Sequence, residues 1–227
     1  ASSAQFVSVA SALATNVQVQ SYLWKSHGLL SGVDVSAAGQ SVVSDAAGSA
    51  VLDLPNDQVS AVSVSKSLTP TQQTTADTAV NLQDAIAILK MIVGLDVNGA
   101  GKPLSPYQSL AADFDGNGTV SLTDAIGVLK HVVGLTSPNP ELRFVDEGSS
   151  AVAGISSHTL TPGLAPGISV DTTNATSALH LGVVGYLSGD VDGGYLGGAS
   201  SSLPLEYFQA IHNSTGISLS QFGVYGT

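Results

Sequence analysis

The sequence predicts an α+β fold, in which an antiparallel β-sandwich carries an inserted pair of loop–helix motifs. Three observations support this prediction. Short segments of alternating apolar and polar residues, separated by Gly and Pro, occur before residue 69 and again after residue 137. An internal duplication with helical periodicity lies between them. A twelve-residue segment with the oxygen spacing of a calcium loop introduces the second copy.

These boundaries divide the chain into four regions. Residues 1–15, rich in Ala and Ser, are either a linker from a longer polypeptide or a strand or helix that docks on another copy of the chain. Residues 16–68 form the first part of the β-sandwich. Residues 69–137 form the helical module, and residues 138–227 contain returning strands and a C-terminal cap.

Five short strands are expected in the first part of the sandwich, because apolar and polar residues alternate along each segment. The segments are 16–24, 33–35, 41–43, 50–54 and 59–64. Gly and Pro turns separate them, a spacing that is typical of an antiparallel sandwich.

The last region has the same extended character. Residues 142–146 and 179–187 read as strands that return to the same sheet system, so that the helical module is an insertion. Residues 203–212 predict a short helix near the C-terminus, with its apolar side chains on one face.

Residues 113–124 have the pattern of a calcium loop. A hard cation takes about six to eight oxygen ligands, and one tight turn supplies them from alternate side chains and one carbonyl. The ligand positions are filled by Asp113, Asp115, Asn117, Thr119, Ser121 and Asp124. Thr119 contributes its carbonyl, and Gly118 permits the sharp turn. The loop ends in Asp where a bidentate Glu is usual.

The segment that begins at the end of this loop is duplicated. Residues 124–135 repeat the pattern of residues 84–95, with Asp, Ala, Ile, Leu, Lys, Val, Gly and Leu in the same places. In each copy the first Asp suits the helix dipole, and the terminal Gly suits a left-handed C-cap. Each copy therefore predicts a short helix, mostly buried.

With this duplication, residues 70–136 resemble a dockerin, the duplicated calcium loop-and-helix module of bacterial extracellular proteins, whose closing ligand is also Asp. The first half departs from the dockerin pattern. Counted back from the second loop, its ligand positions hold Gln73, Thr75, Asp77, Ala79, Asn81 and Asp84. Thr78 replaces the glycine and the first acidic ligand is missing, which leaves either a weak site at Asp77, the Ala79 carbonyl, Asn81 and Asp84, or a relic.

Asp190 and Asp192 are a third candidate for metal binding. They lie in a Gly-Asp-Val-Asp-Gly segment, but the positions that follow do not complete a calcium loop. Either the segment is a plain turn, or its missing ligands come from elsewhere in the fold. The sequence thus predicts at least one Ca²⁺ ion and at most three.

The strands also carry a resemblance. Their order around residues 32–35 and 44–48 is similar to the carboxypeptidase-regulatory type of immunoglobulin-like fold, which implies a structural element. The whole combination resembles modules of large type-I-secreted bacterial surface proteins.

Composition excludes several function classes. The net charge is −11, only 10% of residues are charged, and six Lys and Arg cannot form a basic patch for nucleic acid. No apolar run approaches the roughly 20 residues of a membrane span, which predicts no membrane insertion. An acidic chain with a calcium loop fits a place outside the cell or at its surface, where calcium is abundant.

Catalysis is not expected. The sequence has no Gly-x-Ser-x-Gly elbow, no His-Glu-x-x-His zinc pair and no phosphate-binding glycine loop. The five histidines are therefore interpreted as structural residues.

Two functions remain. The first is a calcium-stabilised structural or adhesive module of a bacterial surface protein, which assembles with copies of itself or with other modules. The second is a docking module for a cohesin-like receptor. Dockerins recognise receptors through loop positions 10 and 11, here Leu82 with Gln83 and Leu122 with Thr123. The two leucines are interpreted as intramolecular packing groups, which favours the structural function.

Overall fold

The computed structural model describes residues 14–155 and 167–225. Within these ranges there are eight strands: β1 (Ala14–Leu23), β2 (Asp34–Ala37), β3 (Gln40–Val43), β4 (Ser49–Pro55), β5 (Val59–Ser65), β6 (Leu142–Asp146), β7 (Ile168–Asp171) and β8 (Leu179–Leu187). The α-helices in the described ranges are α1 (Pro70–Ala79), α2 (Leu82–Ile92), α3 (Pro106–Ala112), α4 (Leu122–Val132), α5 (Ser150–Ala153) and α6 (Leu205–Thr215). A 3-10 helix follows at Leu219–Phe222.

The strands form two sheets of four. The strand orders are β4-β1-β8-β6 and β3-β2-β5-β7, and neighbours are antiparallel except for the parallel pair β1 and β8. The α+β class with two mostly antiparallel sheets is therefore confirmed. Strands β6, β7 and β8, which follow the helical region in the chain, pair with strands that precede it or with each other.

A shared core joins the two sheets and the helices. In β1, alternate side chains such as Val17 and Val19 are fully buried. They belong to one cluster of buried residues with Val35 of β2, Ile88 of α2 and Val128 of α4. The duplicated helices are thus fixed to the sheets by apolar burial.

Every strand expected from alternation is present, and so are the duplicated helices and the helix near the C-terminus. Gly94 and Gly134, which follow α2 and α4, have φ values of +70° and +72°, as the left-handed C-cap requires. Strand β7 and helices α1, α3 and α5 were not expected. The prediction for residues 1–15 falls almost wholly outside the described residues.

Both of the longer unexpected helices begin with a strong local signal. Thr69 and Ser105 cap α1 and α3, each with Pro at the first helical position and Gln returning to the cap backbone. Such capping boxes fix a helix start even where apolar periodicity is weak. Within the described ranges, no helix combines the length and the apolar character needed to cross a membrane.

Candidate metal centres

The loop between α3 and α4 is held at both ends by helix caps. Asp113 is the C-cap residue of α3, and its N–H donates to the Ser109 carbonyl. Ser121 is the N-cap of α4, and the Asp124 carboxylate accepts the Ser121 N–H at 2.8 Å. Because Asp124 lies in the first turn of α4, its charge also suits the helix dipole.

The loop backbone turns around its acidic side chains. The Gly118 N–H donates to Asp113 Oδ2 at 2.9 Å, and the Asn117 N–H donates to Asp115 Oδ1 at 3.0 Å. Gly118 has a φ of +83°, a conformation that strongly favours glycine. The glycine at position 6 thus has the role that the loop pattern predicts.

Three carboxylates converge inside the loop. Asp113, Asp115 and Asp124 each present one oxygen, and these oxygens lie within 4.8 Å of one another. Asp113 is 6% exposed, and its Oδ1 is buried without a hydrogen-bond partner. Burial raises the pKa of the Asp113 carboxyl, and the charges of Asp124 and Asp115 also raise it, while the Gly118 N–H opposes the shift.

An unpartnered buried carboxylate oxygen among like charges is costly unless a cation satisfies it. The donor set consists of oxygens only, which a hard cation such as Ca²⁺ or Mg²⁺ prefers. The residues present therefore fit a metal ion. The Arg143 guanidinium donates to the Asp113 carbonyl at 3.3 Å, and its charge opposes the rise in the pKa of the Asp113 carboxyl.

The other predicted ligands lie on the same loop. Asn117 Oδ1 accepts the Thr119 N–H at 2.9 Å. Ser121 Oγ accepts the Thr123 N–H at 3.2 Å and lies 3.1 Å from Asp124 Oδ2. These bonds set the course of the loop between its acidic ends.

The first repeat does not form the expected loop. Residues 70–79 are helical, because the capping box at Thr69 starts α1 where the loop was predicted. Asp77 accepts a hydrogen bond from Gln73 and lies 3.9 Å from His131 Nε2, and the Ala79 carbonyl accepts from Asn81 Nδ2. The predicted weak site with Asp77, Ala79, Asn81 and Asp84 therefore does not lie on a calcium loop, and metal binding by these residues stays a prediction.

Asp84 instead meets the late acidic turn. Its carboxylate oxygen lies within 4.8 Å of those of Asp190 and Asp192. Asp84 Oδ1 accepts the Asp192 N–H at 3.0 Å, and Asp190 accepts the N–H groups of Gly194 and Tyr195. Burial raises the pKa of Asp84 to about 6 and that of Asp190 to about 7.

This second cluster differs from the first. In the described residues, none of its buried carboxylate oxygens lacks a hydrogen-bond partner. Asp84 and Asp192 are separated by 108 residues, so nothing in the local sequence pairs them. Both clusters have carboxylate ligands for a metal ion. Only the first contains a buried carboxylate oxygen that has no hydrogen-bond partner.

Comparison with protein-family models, curated proteins and solved structures gives no match for this chain. The resemblance to dockerins therefore stays a prediction from the sequence.

The duplicated helices have an exposed apolar face. Leu82 is 52% exposed and Leu122 57% exposed, so their interpretation as intramolecular packing groups is wrong. The exposure repeats between the copies, and it includes the pairs Ile86 and Ile126, Val93 and Val133, and Leu95 and Leu135. Since α2 and α4 contact each other, the two copies of this face lie on neighbouring helices and on the residues that directly follow them. The helices are buried on one side only.

Proposed function

We propose that this chain is a calcium-stabilised structural module of a bacterial extracellular or cell-surface protein. The observation that carries the proposal is the buried, unpartnered Oδ1 of Asp113 beside Asp115 and Asp124. Bound there, Ca²⁺ supplies positive charge and oxygen coordination. The ligands lie at the end of α3 and at the start of α4, so the ion would link these two helices. Helix α4 belongs to the core shared by both sheets. The ion then stabilises architecture.

Thermal unfolding of wild type and Asp113→Asn, in calcium and in EGTA, tests this proposal. Wild type should melt at a higher temperature in calcium, because an ion that binds only the folded state adds about 2.7 kcal/mol at a hundredfold excess over Kd. Asp113→Asn should lose most of that increment. In EGTA the variant should be at least as stable as wild type, because it removes a buried charge.

Asp77→Asn is the matched control. It removes one negative charge from the first repeat, where Asp77 is exposed and lies outside both acidic clusters. It should keep the full response to calcium. Equal melting temperatures for wild type in calcium and in EGTA would refute the proposal.

A docking module for a cohesin-like receptor is the second candidate. The specific observation in its favour is the exposure of Leu82 and Leu122, which hold the receptor-contacting loop positions in the dockerin resemblance. Large exposed apolar patches on soluble proteins commonly mark interaction sites. The same face also suits assembly between copies of the chain. Receptor docking and self-assembly predict different molecular masses for the chain in solution.

Light scattering of the calcium-loaded chain, alone and with a purified cohesin domain, separates them. A docking module should be monomeric alone and form a one-to-one complex that Leu82→Ser with Leu122→Ser weakens at least tenfold. Val43→Ser is the control, because Val43 is 57% exposed on β3. Calcium-dependent oligomers of the chain alone, lost in the double variant, would favour self-assembly and contradict docking.

A further inference from the structure

A pocket of about 480 Å³ lies between α2, the segment that follows it, the end of β1 and the C-terminal residues. Gln83, Ile86 and Lys90 line it from α2. Its volume falls within the range of small-molecule sites, about 300–1,000 Å³. The Asp113 cluster does not contribute to this pocket.

The charge of the pocket is opposite to that of the chain. Lys25, Lys90 and Lys102 line it, which is half of the six Lys and Arg in a protein of net charge −11. Asp192 is the one acidic residue of the lining, and its carboxylate lies with Asp84 and Asp190. The Lys25 ammonium donates to the Asp192 carbonyl, which leaves Lys90 and Lys102 as the cations that attract anions to this concave site.

Two aromatic side chains, Trp24 and Tyr225, and a pair of amides form part of the pocket wall. Tyr225 lies under the Lys102 ammonium, which is 5.6 Å from the ring centroid, and its hydroxyl is 3.3 Å from Asn98 Nδ2. Trp24 is stacked on Tyr107 with ring centroids 6.1 Å apart. Asn98 and Gln108 bind each other through both of their amide groups. These contacts hold the pocket in shape before any ligand arrives.

We propose that this pocket binds an acidic saccharide. The carboxylate of the sugar acid is bound by Lys90 and Lys102, whose flexible ammonium groups act as point charges. The apolar face of the sugar ring packs on Tyr225 and Ile86, and the exposed Gln83 amide offers both a donor and an acceptor to hydroxyl groups. An inorganic anion would leave the aromatic and aliphatic walls without contacts.

Calorimetric titration of the whole chain tests this site, with a tetrasaccharide of alternating glucuronate and N-acetylglucosamine as the probe. Its carboxyl-reduced form and inorganic phosphate are the comparison ligands. The acidic tetrasaccharide should bind, and the other two should bind at least tenfold more weakly. Lys90→Gln and Lys102→Gln should each weaken binding about tenfold, the size of one charge-assisted hydrogen bond.

The internal duplication supplies the matched control. Lys130 occupies in α4 the position of Lys90 in α2 and does not line the pocket, so Lys130→Gln should leave binding unchanged. Tyr225→Leu should weaken binding without a change in charge, and circular dichroism verifies that each variant is folded. Three results would each overturn the proposal: no binding of the acidic probe, equal binding of the reduced probe or of phosphate, or equal losses in Lys90→Gln and Lys130→Gln. The proposal does not depend on calcium at Asp113.

Discussion

Glu147 is a partly buried carboxyl among tyrosines. It accepts hydrogen bonds from the hydroxyls of Tyr22 and Tyr207, the latter at 3.2 Å. Burial raises the pKa of the Glu147 carboxyl and the charge of Asp146 adds to this, while the two tyrosine hydroxyls oppose it. The folded state therefore holds this proton to a higher pH than the unfolded chain does. The contribution of Glu147 to the free energy of unfolding therefore falls as pH rises from the ordinary glutamate pKa of about 4.3 through the raised pKa.

Glu147→Gln should remove this part of the pH dependence. Urea unfolding between pH 4 and pH 8, in saturating calcium, should show wild type losing stability relative to the variant as pH rises. Glu206→Gln, at an exposed position in α6, is the control and should follow wild type. A constant difference between wild type and Glu147→Gln at every pH would contradict the expectation.

At the scale of elements, one aromatic ring sets how closely α4 approaches the sheet. Phe114 is fully buried between two glycines, Gly127 of α4 and Gly189 at the end of β8. A Cβ at Gly127 would lie 3.0 Å from Phe114 Cδ1, and one at Gly189 would lie 2.9 Å from the other side of the ring. In the first repeat the equivalents of Gly127 and Phe114 are Ala87 and Thr74, so the larger helix residue occurs where the ring is absent.

Gly127→Ala should therefore destabilise the protein, although alanine is favoured over glycine within a helix by about 1 kcal/mol. Overpacking against a ring with no room to move costs about 1–3 kcal/mol. Denaturant unfolding measures the effect. In a Phe114→Leu background the same substitution should be neutral or stabilising, because the smaller side chain frees the space. An unchanged cost in that background would show that the ring is not responsible.

At the scale of the molecule, local patterns predicted most of the elements. The strands, the duplicated helices and the 113–124 loop each carry their signal within a few neighbouring residues. Helix α1 had such a signal in Thr69 and Pro70, but the loop projected from the second repeat took precedence over it. This error came from assuming that a duplicated sequence keeps a duplicated structure.

The features that were missed are non-local. Asp84 lies close to Asp190 because the turn that follows β8 packs at the start of α2. Residue spacing in the sequence does not predict this contact. Lys25 likewise joins Lys90 and Lys102 from a segment more than 60 residues earlier in the chain. Residue types indicated which acidic side chains could serve as oxygen ligands, while their grouping depended on the path of the chain.

The parallel pairing of β1 with β8 has a consequence for how the chain folds. Val17 is paired with Leu179, so one edge of β1 has no strand partner until nearly the whole chain is available. Closing so long a loop is entropically costly and slow, and early ordering of the helices between these strands shortens the loop that must close. A metal ion that orders those helices would thus speed the completion of this sheet as well as stabilise the finished protein.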